Sequence, residues 1–199
     1  MNVNNLLLKI QDGYNLVFDL DNTLFDESTY LFSRYKHICN SIYKSKCESD
    51  QAYDYLVSEF RKVGRGRLFN KLLNKFPSKF DMKYLLSVFR DSELNESLNF
   101  YPWFYDFLEK APMEFQVKII TNGNVKQQKN KIKSLLRTVE NYEIPFVVIY
   151  ANESRPKPST ESFLKLSLPK SKVLYIGDSV TDMEFAENLG ISFMYPSNV

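Results

Sequence analysis

From residue 101 onward, the sequence alternates short apolar segments with segments whose apolar residues have the spacing of amphipathic helices. Short apolar runs bounded by polar or turn-forming residues are typical of strands that are covered on both faces. Because strands that alternate with helices pair in parallel through right-handed crossovers, we expect an α/β fold with a doubly wound parallel sheet. The predicted strands cover 117–120, 146–150, 173–176 and 191–194. One predicted helix begins at Pro102, and three others cover 125–139, 160–168 and 179–189. Ser159 is the predicted cap of the helix over 160–168.

A further apolar run near the start of the chain, Leu16-Val17-Phe18, is followed directly by two acids, Asp19 and Asp21. In an open parallel sheet, ligands bind in the crevice beyond the carboxyl ends of the strands, so these acids are candidate site residues. A strand followed by an Asx turn explains the same residues through local preference alone. Taken by itself, this stretch leaves the two interpretations about even.

Between the first strand and residue 100 the pattern is helical only. Apolar residues recur at spacings of three and four from Leu31 to Ile42, which is the stripe of an amphipathic helix. Similar stretches follow near 53–63, 68–76 and 82–89. The predicted domains are therefore an α/β core, residues 1–25 and 100–199, and an inserted helical domain, residues 26–99.

Two glycines interrupt the helical domain in the segment Gly64-Arg65-Gly66-Arg67. Glycine permits a tight and mobile loop, which suits a helix-to-helix connection with solvated arginines. The same loop could bring positive charge to an anionic ligand. Arg65 and Arg67 are therefore possible substrate contacts.

The charge balance argues against nucleic acid and membrane surfaces as partners. Lys and Arg total 26 against 24 acids, a formal net charge of +2, so no strong global field is present. Lysines 126, 129, 131 and 133 lie on a predicted amphipathic helix, and we expect them to form its solvated face. The apolar segment 6–10 is too short for a membrane span and has no flanking features of a targeting signal.

Cysteine usage indicates a reducing, cytoplasmic setting. The sequence has two cysteines, Cys39 and Cys47, without the spacing of a zinc site or of a disulfide framework. We expect both thiols to be packing residues.

Polar residues of a definite kind follow each predicted core strand except the last, and the carboxyl ends of parallel strands meet at one edge of a sheet. These residues are Asp19 and Asp21, then Thr121-Asn122-Gly123, then Lys157-Pro158, and then Gly177-Asp178 with Asp182.

The chemistry of this set indicates phosphoryl transfer. Asp19 and Asp178 would repel one another if brought together, and a divalent cation resolves that repulsion. Oxygen ligands without clustered Cys or His point to Mg²⁺. Thr121 offers a hydroxyl, the backbone N–H groups after it can bind an anion, and Lys157 adds a positive charge. A carboxylate nucleophile with these groups fits phosphoryl transfer.

These segments resemble the four ordered motifs of the haloacid dehalogenase superfamily. The resemblance covers the whole predicted core, and the helical insert is similar to the helical cap of that family. It implies a Rossmann-like core with a cap inserted after the first motif. The matching residues are Asp19-Leu20-Asp21-Asn22-Thr23-Leu24, Thr121-Asn122-Gly123, Lys157-Pro158 and Gly177-Asp178-Ser179-Val180-Thr181-Asp182.

The resemblance implies distinct roles for the residues of the first motif. Asp19 would attack phosphorus, form an aspartyl phosphate and bind the metal. Asp21 would protonate the leaving oxygen, later activate water, and bind the metal through its backbone carbonyl. Thr23 would help to fix the turn that presents both acids.

The other motifs imply phosphate and metal binding. Thr121 and Asn122 would hold the phosphoryl oxygens, and Lys157 would offset negative charge on the nucleophile and the phosphate. Asp178 would bind Mg²⁺, and Asp182 would support the metal site and Lys157.

Three functions follow from this resemblance. The first is a magnesium-dependent phosphatase for a small phosphorylated metabolite, which Asp21 favours because the carbon–halogen hydrolases of the superfamily lack that acid. The second is a phosphomutase on the same scaffold, and the third is a non-catalytic binding module. The sequence indicates neither the particular substrate nor the oligomeric state.

Overall fold

The computed structural model describes residues 2–91 and 97–196. Contacts between Cα atoms divide the chain into two compact units. The first, called here the α/β unit, comprises Met1–Glu27 and Ser97–Val199, and the second, the helical unit, comprises Ser28–Glu96. The assignment of a catalytic core and a cap to residues 1–25 with 100–199 and 26–99 stays a prediction.

The α/β unit contains a five-stranded sheet in the order β3-β2-β1-β4-β5, and every pair of neighbouring strands is parallel. The predicted fold class is therefore confirmed. The central strand β1 aligns its Val17 with Lys118 on one side and with Tyr175 on the other. The strands are β1 Asn15–Phe18, β2 Val117–Thr121, β3 Phe146–Tyr150, β4 Val173–Ile176 and β5 Ser192–Met194.

Nine α-helices lie in the part of the chain that the structure describes, and the first of them was not predicted. They are α1 Val3–Gln11, α2 Glu27–Ile42, α3 Lys46–Val63, α4 Leu68–Lys75, α5 Met82–Asp91, α6 Pro102–Lys110, α7 Val125–Leu136, α8 Glu161–Leu164 and α9 Val180–Leu189.

Both faces of the sheet are covered, which explains the continuous apolar run in β1. Successive side chains of a strand point to opposite faces. Val17 packs in a core cluster that includes Phe185 of α9. On the other face, the ring of Phe18 lies 5.9 Å from that of Phe104 and 6.2 Å from that of Phe107, both in α6. The central strand is thereby held between two helical layers.

Two helices are shorter than predicted. The helix expected over 125–139 ends at Leu136, because the next N–H groups bond three residues back in a tighter turn. The helix expected over 160–168 has only four α-helical residues, because the N–H groups of residues 165–167 bond three residues back in tighter turns. Ser167 then takes a left-handed conformation, with φ of 52°, shortly before Pro169. Ser159 is not its cap. Thr160 holds that position, without a capping bond from its side chain.

The helical unit packs its apolar stripes around an aromatic cluster. The ring of Tyr35 lies between 6.1 and 6.4 Å from the rings of four phenylalanines on its own and neighbouring helices. Arg34 is also buried, and its guanidinium donates to the carbonyl oxygens of Val88 and Phe89 at the end of α5. These contacts tie α2 to α5 within the unit.

One of the two expectations about the cysteines was wrong. Cys39 is buried, whereas Cys47 is exposed at the start of α3 and is not a packing residue. None of the helices within residues 2–91 and 97–196 combines the length and the apolar character that crossing a membrane requires.

Candidate active site

The first motif leaves the central strand in a tight turn. The strand ends at Phe18, and the N–H of Asp19 donates to the carbonyl of Ile176 in β4 at 2.8 Å. Asn22 takes a left-handed conformation with φ of 56°, which asparagine tolerates better than most residues. Its side-chain oxygen accepts from the N–H of Glu27, the first residue of α2. The local turn and a carboxylate at the strand end are therefore both present.

Lys157 joins three of the strand ends. Its ammonium group donates to Asp19 Oδ1 at 2.6 Å and to Asp182 Oδ1 at 2.5 Å. It also lies 2.7 Å from the hydroxyl of Tyr175 and 3.1 Å from the carbonyl oxygen of Ile120. The side chain is buried, so these acceptors replace water around the charge. The peptide bond from Lys157 to Pro158 is cis.

Burial shifts the protonation of this cluster. It raises the pKa of the Asp19 carboxyl from 3.8 to about 7, although the positive charge of Lys157 opposes the rise, and the charges of Asp182 and Asp21 add to it. Burial alone would lower the pKa of the Lys157 ammonium. The attraction of the two bonded carboxylates outweighs that effect, and the pKa of Lys157 is raised.

Asp182 is held by its position at the start of α9. Ser179 caps the helix, and Asp182 forms the reciprocal half of a capping box, in which its Oδ2 accepts from the N–H and hydroxyl of Ser179. Its Oδ1 is bonded to Lys157. Gly177 allows this approach, since a Cβ atom there would lie 2.6 Å from Cβ and Cγ of Asp182. Asp182 is therefore a supporting residue with both oxygens engaged.

A candidate metal site is formed by carboxylate oxygens of Asp19, Asp178 and Asp182, which lie within 4.8 Å of one another. Asp178 is the exposed member of the three, but the water that its carboxyl has lost and the charge of Asp182 both raise its pKa. Within the described residues Asp19 Oδ1 is bonded to Lys157, whereas Oδ2 has no hydrogen-bond donor. Because both oxygens of Asp182 are engaged, the residues that fit a hard cation such as Mg²⁺ are Asp19 and Asp178.

The second and third motifs are joined through Asn122. Its side-chain amide donates to the carbonyl of Lys157 at 3.0 Å, and its oxygen accepts from the N–H of Lys157 at 2.8 Å. Thr121 is the buried last residue of β2, beside the same loop. The N–H of Gly123 donates to the side chain of Asn152 at 2.8 Å. The side chain of Asn122 thus positions Lys157, and phosphate binding by Thr121 and Asn122 stays a prediction.

The structure does not test two other sets of predicted roles. Thr23 is buried, and its hydroxyl makes no hydrogen bond with the described part of the chain. Arg65 and Arg67 are exposed in the turn that connects α3 and α4 of the helical unit. The roles of Thr23 in the turn and of the two arginines toward a substrate stay predictions.

The acid at position 21 has partners that the sequence analysis did not anticipate. Lys131 of α7 lies 2.7 Å from Asp21 Oδ1 and 2.9 Å from Oδ2, and it also contacts Glu27 at 2.9 Å. Gln128, one turn earlier, donates its amide to Asp21 Oδ2 at 2.8 Å. The expectation that lysine 131 lies on a solvated face was wrong, because it is buried against these two carboxylates.

A signal for these partners was present in the sequence. Lys131 lies four residues before Leu135, and Gln128 lies four residues before Ile132, so both share the buried face of α7. The contribution of Tyr175 was also missed, because a tyrosine within an apolar strand reads as a core residue.

Comparison with known families agrees with this geometry. Residues 16–195 match the family model described as haloacid dehalogenase-like hydrolase, and the chain belongs to that family. No curated protein sequence matches the chain.

Solved structures share the fold at low sequence identity. A candidate phosphoglycolate phosphatase from Lactobacillus plantarum has 18% identity and a TM-score of 0.53, covering 92% of this chain and 86% of its own. A candidate β-phosphoglucomutase from Thermotoga maritima has 18% identity and a TM-score of 0.61, covering 92% and 87%. L-2-haloacid dehalogenase from Xanthobacter autotrophicus has 17% identity and a TM-score of 0.55, covering 92% and 77%. This similarity is one of fold alone. A choice between phosphatase, phosphomutase and dehalogenase chemistry has to rest on the site residues.

Proposed function

We propose that this protein is a magnesium-dependent phosphatase that hydrolyses a small phosphorylated metabolite through an aspartyl phosphate. The observation that carries the proposal is the pair of acids after the central strand. Asp19 is bonded to buried Lys157 and lies beside Asp178, and Asp21 follows in the same turn. In this proposal the α/β unit is the catalytic core and the helical unit is the cap of the family.

The first step transfers the phosphoryl group to the protein. An oxygen of the Asp19 carboxylate bonds to phosphorus, and the bond between phosphorus and the ester oxygen breaks. The leaving oxygen takes a proton from the carboxyl group of Asp21 and departs as an alcohol. Lys157 offsets the negative charge that gathers between the nucleophile and the phosphoryl oxygens, which Thr121 and Asn122 bind.

The second step restores the nucleophile. Asp21, now a carboxylate, accepts a proton from a water molecule whose oxygen bonds to the phosphorus of the aspartyl phosphate. The bond between phosphorus and Asp19 breaks, which releases inorganic phosphate and the free carboxylate. Asp21 ends the cycle with the proton that the next turnover needs.

Asp19 and Asp178 would hold Mg²⁺, together with the backbone carbonyl of Asp21, and Asp182 would support them. When bound, the ion supplies charge neutralisation between the carboxylates and the phosphoryl oxygens. The excess of acids in the cluster supports a cation there, since Lys157 is bonded to two carboxylates while Asp178 adds a third.

The second acid separates this proposal from carbon–halogen cleavage. A halide leaves as a stable anion without a proton, whereas the oxygen of a phosphate ester needs one. Asp21 therefore has a purpose in ester hydrolysis that it would lack in dehalogenation. A phosphomutase would use the same acid, but it returns the phosphoryl group to a sugar instead of to water.

The test is the release of phosphate from p-nitrophenyl phosphate in the presence of Mg²⁺, followed by a screen of nucleotides, sugar phosphates and small acid phosphates. Asp19→Asn should lower turnover by a factor on the order of 10³ or more. Asp12→Asn, at an exposed helix end, is the matched control and should retain wild-type turnover.

Three results would change the proposal. Equal activity of the wild-type protein and Asp19→Asn contradicts the covalent mechanism. Isomerised sugar phosphate without net release of phosphate replaces the phosphatase with a phosphomutase. Inactivity across the whole screen, together with tight binding of a macromolecule, favours a non-catalytic module.

A further inference from the structure

Two side chains of α7 hold the second acid of the first motif, and the proposed mechanism assigns them no role. Lys131 spans both oxygens of Asp21 at 2.7 and 2.9 Å, and Gln128 donates to Oδ2 at 2.8 Å. Both residues are buried, at 3% exposure each. Two buried side chains of α7 therefore set the orientation of the Asp21 carboxylate.

These bonds leave the carboxylate able to act. Two carboxylate oxygens offer about four acceptor positions, of which Lys131 and Gln128 occupy three. One position remains, which can carry the proton that Asp21 gives to the leaving oxygen or can accept a hydrogen bond from a water molecule. A carboxylate held in this way cannot rotate freely, which keeps its remaining position directed along one line.

The chain is built locally to place these donors. Asn124 caps α7 by accepting from the N–H of Gln127, which starts the helix immediately after the second motif. Gln128 then folds back over the loop, where its amide also donates to the carbonyl of Asn122. Gly123 has a φ of 120°, which residues other than glycine rarely adopt, and a Cβ atom there would also lie 2.8 Å from that amide.

Stability alone is a weak reason for the charged groups. Lys131 is bonded to Asp21 and Glu27, and a buried ion pair of this kind is often no more stabilising than apolar residues of similar volume. Leu135 and Ile132 on the same face show that α7 can bury apolar side chains there. A functional requirement on Asp21 accounts for an ammonium group better than packing does.

We propose that Lys131 is the positioning residue for Asp21, and that Gln128 assists it, so that the acid and base steps both depend on α7. This inference rests on the proposed function. The positioning role predicts that loss of Lys131 lowers kcat/KM more for a substrate whose leaving oxygen has a greater need for a proton. Glu27 also accepts from the ammonium group, at 2.9 Å, and does not contact the reacting atoms in this scheme.

The experiment compares two esters with Mg²⁺ present. p-Nitrophenyl phosphate releases a stable anion that needs little protonation, whereas phenyl phosphate releases a more basic oxygen. Lys131→Met should lower kcat/KM for phenyl phosphate about 100-fold, and for p-nitrophenyl phosphate less than about 10-fold. Lys131→Arg should recover part of the loss. Lys133→Met, an exposed lysine on the same helix, should stay within about twofold of wild type.

Loss of Lys131 leaves Asp21 and Glu27 facing one another, so the folding of the variant is checked by thermal unfolding. If Lys131→Met does not fold, Gln128→Leu tests the positioning role instead, because it removes one donor to Asp21 and changes no charge. It should show the same dependence on the leaving group, with about a 10-fold loss for phenyl phosphate.

The outcomes distinguish the positioning role of Lys131 from the proposed phosphatase activity. An equal loss for both esters, or no loss, overturns the positioning role while the phosphatase stands. A wild-type protein that hydrolyses neither ester nor any phosphate ester of the wider screen overturns the proposed function, and the positioning role is then overturned as well.

Discussion

The side-chain amide of Asn122 binds the backbone of Lys157 at two points, donating to its carbonyl at 3.0 Å and accepting from its N–H at 2.8 Å. The two residues are 35 positions apart in the chain. This pairing fixes the loop after β3 against the end of β2, and the ammonium group of Lys157 can then reach the carboxylates at the ends of β1 and β4.

Removal of the two bonds between Asn122 and Lys157 should make the position of Lys157 less fixed, although no charged group is replaced. Asn122→Ala loses both bonds, so we expect the free energy of unfolding to fall by about 1–3 kcal/mol and turnover by about 10-fold or more. Thermal unfolding and phosphate release measure the two effects. Asn188→Ala is the control, because its exposed amide makes a single bond to Pro158. Equal effects of the two substitutions would contradict a special role for Asn122.

The close approach of Asp182 to Gly177 makes a second prediction. In Gly177→Ala the new Cβ would lie 2.6 Å from Cβ and Cγ of Asp182, and the carboxylate that holds Lys157 must move. We expect a loss of about 1–3 kcal/mol in stability, measured by denaturant unfolding. Gly66→Ala is the matched control, since no atom lies within 4 Å of its Cβ position, and it should stay within about 0.5 kcal/mol. A well-folded, fully active Gly177→Ala protein would contradict the requirement for a glycine beside Asp182.

The hydroxyl of Tyr175 should matter less than its position suggests. Tyr175→Phe removes one of four acceptors around the ammonium of Lys157, but Asp19, Asp182 and the carbonyl of Ile120 remain for its three protons. We expect a stability loss of about 1 kcal/mol and turnover within about 10-fold of wild type. Tyr195→Phe, at an exposed hydroxyl, is the control and should change neither quantity. Complete inactivation by Tyr175→Phe would assign the hydroxyl a direct chemical role.

The raised pKa of Asp19 predicts how pH and Mg²⁺ act together. Because the pKa of this carboxyl is about 7 in the folded protein against an ordinary 3.8, the folded state binds the proton more tightly. The contribution of Asp19 to the stability of the metal-free protein therefore falls as pH rises from 3.8 to about 7. Mg²⁺ binds the ionised carboxylate, so its stabilising effect should be larger at about pH 8 than at about pH 5.5.

Thermal unfolding with and without Mg²⁺ at the two pH values measures this difference. Asp19→Asn should reduce the pH-dependent part, because the amide does not titrate, and the remainder belongs to Asp178, whose pKa is also raised. If Mg²⁺ stabilised the protein equally at both pH values, the result would contradict competition between the proton and the ion for the Asp19 carboxyl.

The strands of the sheet were predictable because short apolar runs in the sequence mark them. Strands β1, β2, β3 and β4 are rich in apolar residues, with Lys118 the one charged residue among them, and the predicted limits agree with the observed ones to within a residue. The ends of α7 and α8 were not predictable in the same way. Their apolar spacing continues past the last helical residue, where the backbone changes to tighter turns.

The amino-acid sequence by itself determined the parallel α/β architecture and the four polar strand ends, because periodicity and chain order suffice to place residues at the edge of a sheet. Tertiary structure alone decided how those residues are held. Asn122 and Lys157 meet across 35 residues, and Lys131 and Asp21 across 110. Helical spacing indicates which face of α7 is buried, but the acid that this face meets depends on how the whole helix packs against the sheet. A lysine that was interpreted as solvated is therefore the buried partner of Asp21.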